Sequence, residues 1–213
     1  MQKFFDKLIR NLIGSFSRKY LPLHALAILT TAIIVFFGWD RIYFDFWQKN
    51  SLQLLFFPAV VVGGIGTALL ILGLLLTAKV QRNTMTLRMT VAVVQATILG
   101  WLISSLYKTF TGRGHPEAFS FASGAANTNF NFGFLRGGIF WGWPSGHATV
   151  ALAVGVTLFV LCSKNRIRYL ALTVALYVAF GVSTNIHWLS DSIAGIFIGT
   201  AIGLRVGNNY AAN

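Results

Sequence analysis

Six apolar runs, at 21–39, 52–78, 89–107, 145–162, 169–186 and 189–206, leave this 213-residue chain few ways to fold. Each is near the roughly 20 residues that carry an α-helix across the hydrocarbon core of a bilayer. Within that core every backbone N–H and C=O needs a partner from its own segment, which selects helices over open sheets. Only 10% of the residues are charged and the mean hydropathy is +0.67, the balance of a membrane protein rather than of a soluble domain. The expected fold is an all-α integral membrane protein with six transmembrane helices. Run 52–78 contains Pro58 and a Gly63-Gly64-x-Gly66 cluster, which predicts a kink or a close helix contact within it.

Ahead of the first run, Phe4, Phe5, Leu8, Ile9, Leu12, Ile13 and Phe16 recur at helical spacing, with Lys3, Lys7 and Arg10 between them. That pattern predicts an N-terminal amphipathic helix lying at the membrane interface. The chain therefore divides into an interfacial segment at 1–20 and a transmembrane domain at 21–213 with an outer loop at 108–143. Basic residues collect in the N-terminal segment, at 79–88, at 164–168 and at Arg205, and the positive-inside rule makes both termini cytoplasmic. The net charge of +12 raises nucleic-acid binding as a function, but the charges sit at the ends of apolar runs with no soluble fold to present them. Their expected partners are membrane lipids with anionic headgroups, and no nucleic acid. The single Cys162 excludes an internal disulfide and a cysteine-based metal cage.

With that orientation the outer face collects Lys108, Arg113, His115, Arg136, His147, His187 and Asp191 near the mouths of four spans. Charged and titratable groups at a membrane boundary are costly without partners, which marks them as a candidate site. At Trp143-Pro144-Ser145-Gly146-His147 a polar, glycine-rich loop turns into an apolar helix. The small Ser145 and Gly146 leave helix N-terminal N–H groups uncovered for an anion, and His147 could exchange a proton with it. The 108–116 stretch joins Lys108 to an Arg113 flanked by Gly112 and Gly114, a combination suited to phosphate, with snorkelling to the interface as the alternative. His187 and Asp191, at i and i+4, share one face of a helical turn. A carboxylate on one ring nitrogen fixes the tautomer and activates the other, although a plain structural contact has the same spacing. One carboxylate with scattered histidines is a thin ligand set, so no metal and no cofactor are expected. His24 reads as structural. The loop aromatics Phe119, Phe121, Phe130, Phe132, Phe134, Phe140, Trp141 and Trp143 suit a membrane belt, or a lid or groove for a lipid tail, and Asn127-Thr128-Asn129 reads as a turn.

The 108–116 stretch, then Pro144-Ser145-Gly146-His147, then His187-x-x-x-Asp191 followed by Ser192-Ile193-Ala194-Gly195, resemble the type 2 phosphatidic acid phosphatase family. The likeness extends to the order of the motifs, their place relative to runs three to six, and the six-span layout. It implies that His187 is the nucleophile that becomes phosphohistidine, that Asp191 orients it, and that His147 is general acid and then general base. It further implies that Lys108, Arg113, Ser145 and the Gly146 N–H bind the phosphoryl oxygens without a metal. Two places depart from the family pattern: His115-Pro116 stands where Arg-Pro is usual, and Phe180-Gly181 where Ser-Arg is usual. Arg113 and Arg136 are the expected sources of replacement charge, with His115 standing in for an arginine. The implied activity is hydrolysis of a terminal phosphate from a lipid phosphate or diphosphate at the outer leaflet of a bacterial inner membrane. Undecaprenyl diphosphate, phosphatidylglycerophosphate, phosphatidic acid and lipid A phosphates are all candidates. The alternatives are a lipid phosphotransferase and a lipid-binding relative whose site has decayed.

Overall fold

The computed structural model describes residues 2–49, 51–116, 129–137, 139 and 142–212. Among these the chain is helical, apart from one isolated antiparallel bridge between Arg113 and Phe130. The helices are α1 (Gln2–Ser15), α2 (Leu21–Phe36), α3 (Trp39–Lys49), α4 (Phe57–Val61), α5 (Thr67–Gln81), α6 (Thr84–Thr111), α7 (Gly146–Leu161), α8 (Asn165–Asn185) and α9 (Leu189–Ala211). Glu117, Phe119, Phe121, Asn127, Thr128, Phe140 and Trp141 lie outside the described residues.

Among the described residues, four helical stretches are long and apolar enough to cross a bilayer: Leu52–Gln81, Thr84–Thr111, Asn165–Asn185 and Leu189–Ala211. The bent pair α2 and α3 makes a fifth if taken as one span, and α7 is shorter at 16 residues. Leu69, Leu72, Leu75 and Leu76 stand exposed along Leu52–Gln81, an apolar surface that needs an apolar surrounding. The protein is an integral membrane protein.

Leu52–Gln81 is one helical rod, opened by a 3-10 turn at Leu52–Phe56 and joined between α4 and α5 by a π turn at Val62–Gly66. Pro58 sits in the first turn of α4, where its missing N–H breaks no helical bond, so it does not interrupt the rod. The glycine cluster falls in the π turn and makes a close contact. A Cβ on Gly63 would lie 2.8 Å from Val178 Cγ1 and 3.2 Å from His147 Cδ2.

A helix over Trp39–Lys49 was not expected from the hydropathy pattern, which marks only the apolar run before it. Gly38, at φ +67°, makes the corner, and α3 leaves α2 at 72°. Asp40 and Phe44 are its buried face, and Tyr43 Oη lies 2.9 Å from Ser183 Oγ. The signal was present in the i, i+3, i+4, i+7 stripe of Asp40, Tyr43, Phe44 and Trp47.

The centre of the bundle is α7, packed against α6, α8 and α9. On α9, Gly195, Gly199, Gly203 and Gly207 recur every fourth residue and let two backbones meet. A Cβ would lie 2.5 Å from the Thr149 carbonyl oxygen at Gly199 and 2.8 Å from that of Ala153 at Gly203. This contact sets the two helix N-termini side by side, and Ser145 N–H donates to the Asp191 carbonyl at 3.0 Å.

At the other end, α1 docks on α6 and α9. Buried Asn11 donates from Nδ2 to Gln95 Oε1 at 2.8 Å, and Gln95 Nε2 donates to the Phe4 carbonyl at 2.9 Å. Phe5, Ile9 and Ile13 face outward. His24 is buried, with Nε2 donating to the Ser15 carbonyl at 3.1 Å and Nδ1 accepting from the Tyr107 hydroxyl at 2.9 Å.

Candidate functional site

Ser145 caps α7: its Oγ accepts from Ala148 N–H at 3.3 Å, which leaves the Gly146 and His147 N–H groups without intrahelical partners. Lys108 and Ser104 pack directly over Gly146, where a Cβ would lie 3.3 Å from Lys108 Nζ and 3.7 Å from Ser104 Oγ. Lys108 reaches this point from the last turn of α6, one turn after Ser104 and Ser105. These groups line a cavity of about 570 Å³ between the rod, α6 and the start of α7. His115, His147 and His187 line it as well, and its remaining wall is largely apolar, with Val60, Ile71, Trp101, Val150 and Ile186.

His187 stands at the centre of the histidine group, with ring centroids 4.8 Å from His115 and 6.1 Å from His147. It occupies the turn between α8 and α9, anchored by its own N–H to the Val182 carbonyl at 2.9 Å. His187 Nδ1 lies 3.5 Å from Asp191 Oδ2, and Trp188 N–H donates to the same oxygen at 3.3 Å. Burial lowers the His187 pKa to about 3 despite the opposing pull of Asp191, so the ring is neutral at pH 7 and keeps a lone pair.

His115 lies in the loop after α6, and its Nδ1 bonds the Ile186 carbonyl at 2.7 Å. A carbonyl only accepts, so Nδ1 carries the proton and a neutral ring has no second N–H to give. Burial lowers this pKa too, so His115 is neutral at pH 7 and acts as a cation only after taking up a proton. Affinity for a phosphate-like anion such as vanadate is therefore expected to rise as pH falls from neutral into the acid range, by up to about tenfold per pH unit, and to lose this slope in His115→Arg. Inhibition constants measured between pH 5 and 8 in both proteins check this, and parallel profiles would exclude it.

Arg113 is drawn away from the cavity. Its guanidinium is buried, with Nη1 donating to Asp191 Oδ1 and, at 2.7 Å, to Ser190 Oγ, while Nη2 donates to Asp40 Oδ2 at 2.6 Å. Asp40 also accepts from Ser190 N–H at 2.8 Å and Ser190 Oγ at 2.7 Å. Phe130 and Trp188 close over the guanidinium, with centroids 4.7 and 5.9 Å from Cζ. The residue read as a phosphate ligand is thus a clamp that holds Asp191, and through it faces His187. Asp40 and Ser190, not foreseen as members of this group, complete the clamp. Arg136 is exposed and does not line the cavity, and Ser145 is buried in its capping role. Among the described residues no group of three or more His, Cys, Asp or Glu is disposed to hold a metal ion.

The glycine at 181 also has a structural cause. A Cβ there would lie 2.3 Å from Ala59 Cβ and 2.9 Å from the Phe56 carbonyl oxygen, so the rod occupies the space a longer side chain would need.

Comparison with known proteins yields no curated protein and no solved structure that matches the chain. The family profile described as PAP2 superfamily matches residues 85–211, more than half of the sequence. That region begins in α6 and ends in α9, and it contains Lys108, all three cavity histidines and Asp191 while leaving out the rod and Asp40. The four helices that carry the titratable side of the cavity are those of a known family, and the chain belongs to the PAP2 superfamily, whose members are phosphatases acting on phosphorylated substrates.

Proposed function

We propose that this protein is a membrane lipid phosphatase that releases a terminal phosphate at the outer leaflet through a phosphohistidine on His187. The observation that carries the reading is the two-part cavity. Lys108 and three histidines form its polar end, and an apolar wall runs from there along the rod, which suits a charged head whose tail stays in lipid.

In the proposed reaction the neutral His187 ring attacks phosphorus, and the bond from phosphorus to the lipid oxygen breaks. His147 gives that oxygen its proton, while Asp191 holds the Nδ1 proton of the now positive His187 ring. Lys108 and the Gly146 and His147 N–H groups stabilise charge on the phosphoryl oxygens in transit. His147 then takes a proton from water as the water attacks phosphohistidine. Inorganic phosphate leaves, and His187 is restored.

In this reading α2, the rod, α6, α7, α8 and α9 are six spans, and α1 is the basic amphipathic helix at the cytoplasmic interface. By helical rise α7 is about 24 Å long, short of the roughly 30 Å hydrocarbon core. Its N-terminus then lies within the outer leaflet, so a lipid phosphate reaches it from the headgroup side through the cavity.

Purified protein in detergent is expected to release phosphate from a panel of lipid phosphates with EDTA present. Quenching during turnover of a radiolabelled substrate should trap a phosphoprotein that is acid-labile and base-stable, as phosphohistidine is. Loss of release in EDTA, or a label with the stability of a phosphoester, would overturn the mechanism.

A further inference from the structure

We infer that the site is built for one phosphoryl group, a lipid phosphate monoester, and discriminates against the diphosphate of the same chain. The inference rests on the reading of this cavity as a lipid phosphatase site.

It follows from where the positive charge goes. Beyond α2 the outer part of the chain has Arg41, Lys49, Lys108, Arg113 and Arg136 as its lysines and arginines. Arg41 is exposed and paired with Asp45 at 3.0 Å, and Lys49 and Arg136 are exposed. Arg113 is committed to the buried carboxylates of Asp40 and Asp191. Among the described residues Lys108 is the only lysine or arginine lining the cavity, and residues 117–128 and 138–141 contain neither type. Gly181 admits no side chain from α8, because the rod fills that space.

His115 and His187 do not make up the difference, and in the proposed reaction the proton on His147 goes to the leaving oxygen. Nδ1 of His115 is bound to the Ile186 carbonyl, and burial keeps His115 and His187 neutral at pH 7. One lysine and the start of one helix therefore meet the anion. A phosphate monoester carries about −1.5 to −2 near pH 7, and a diphosphate adds about one further negative charge. Beyond the polar end the wall is largely apolar, with Val60, Ile71, Val150 and Ile186, and the hydroxyls of Thr97 and Ser104 there donate to carbonyls of their own helix, so the second phosphoryl group loses water and gains no countercharge.

The test is binding of two non-hydrolysable probes with the same farnesyl chain, a phosphonate and a methylenediphosphonate, to the full-length protein in detergent at pH 7.5. The phosphonate is expected to bind at least about tenfold more tightly, and His115→Arg, which adds a permanent charge, to bring the ratio below about threefold. Equal or tighter binding of the diphosphonate by the wild type would overturn the inference. Turnover of a lipid monophosphate by the same preparation separates the two readings. Turnover without the binding preference removes the inference alone, whereas absence of both turnover and binding removes the lipid phosphatase reading with it.

Discussion

Arg113→Met is expected to lower the stability of the folded protein by about 3–5 kcal/mol, among the largest effects of any single substitution in this chain. The guanidinium is buried and bonds two carboxylates and a hydroxyl from α3 and α9. Without it, Asp40 and Asp191 are left as neighbouring buried acids, and at least one must take up a proton or draw water inward. Methionine fills much of the volume, so the loss reports charge rather than a cavity. Arg113→Lys keeps the charge but not the planar fork, and a smaller loss of about 1.5–3 kcal/mol is expected from the bonds it cannot remake. Thermal unfolding in detergent should show a drop on the order of 10 °C for the methionine variant, given about 2–4 °C per kcal/mol for a chain of this size. A shift below about 2 °C would mean that the carboxylates find other partners. Because Asp191 faces His187, the lysine variant should also lose turnover while retaining most of its folded population.

The second large effect falls on chemistry. His187→Ala is expected to reduce kcat by at least about 10⁴-fold with little change in unfolding temperature, since the proposed nucleophile has no replacement of its kind in place. His115 and His147 flank it in the cavity, but His115 has its Nδ1 bonded to the Ile186 carbonyl, and Asp191 faces His187. Among the described residues the carboxylate at this histidine group, Asp191, lies against His187 Nδ1 at 3.5 Å. The acid-labile phosphoprotein should disappear with the turnover. A variant that keeps both would move the nucleophile to another residue and leave His187 a binding role.

Lys108, Gly146, His147, His187 and Asp191 were legible as neighbours because each owes its place to nearby residues in the chain, whereas Ser145, read as a phosphate ligand, is a buried helix cap. A helix end, an i, i+4 pair and a helix start are set within a few residues, and their gathering at one end of the bundle follows from where the apolar runs begin and end. His115 was legible as a departure from a motif, though its tautomer required the Ile186 carbonyl, which comes from another helix end. The π turn was readable as a glycine cluster, but not as a contact with Val178 and His147.

By itself, then, the sequence determined a helical membrane protein of a phosphatase family, with its histidines gathered on one face. Apolar length and motif spacing are local quantities that survive without a fold. Only the tertiary structure decided where the charge goes. Arg113 stands two residues from His115, and nothing in Gly-Arg-Gly tells phosphate from carboxylate as its partner. The answer came from Asp40, 73 residues earlier, which the corner at Gly38 and the buried face of α3 bring beneath the turn at Ser190. The rod acts likewise at Gly181, pressing Phe56 and Ala59 against α8 where a side chain would otherwise extend. Such outcomes depend on which surfaces pack together, because a buried ion takes the nearest countercharge that packing leaves it, and sequence distance has no part in that choice.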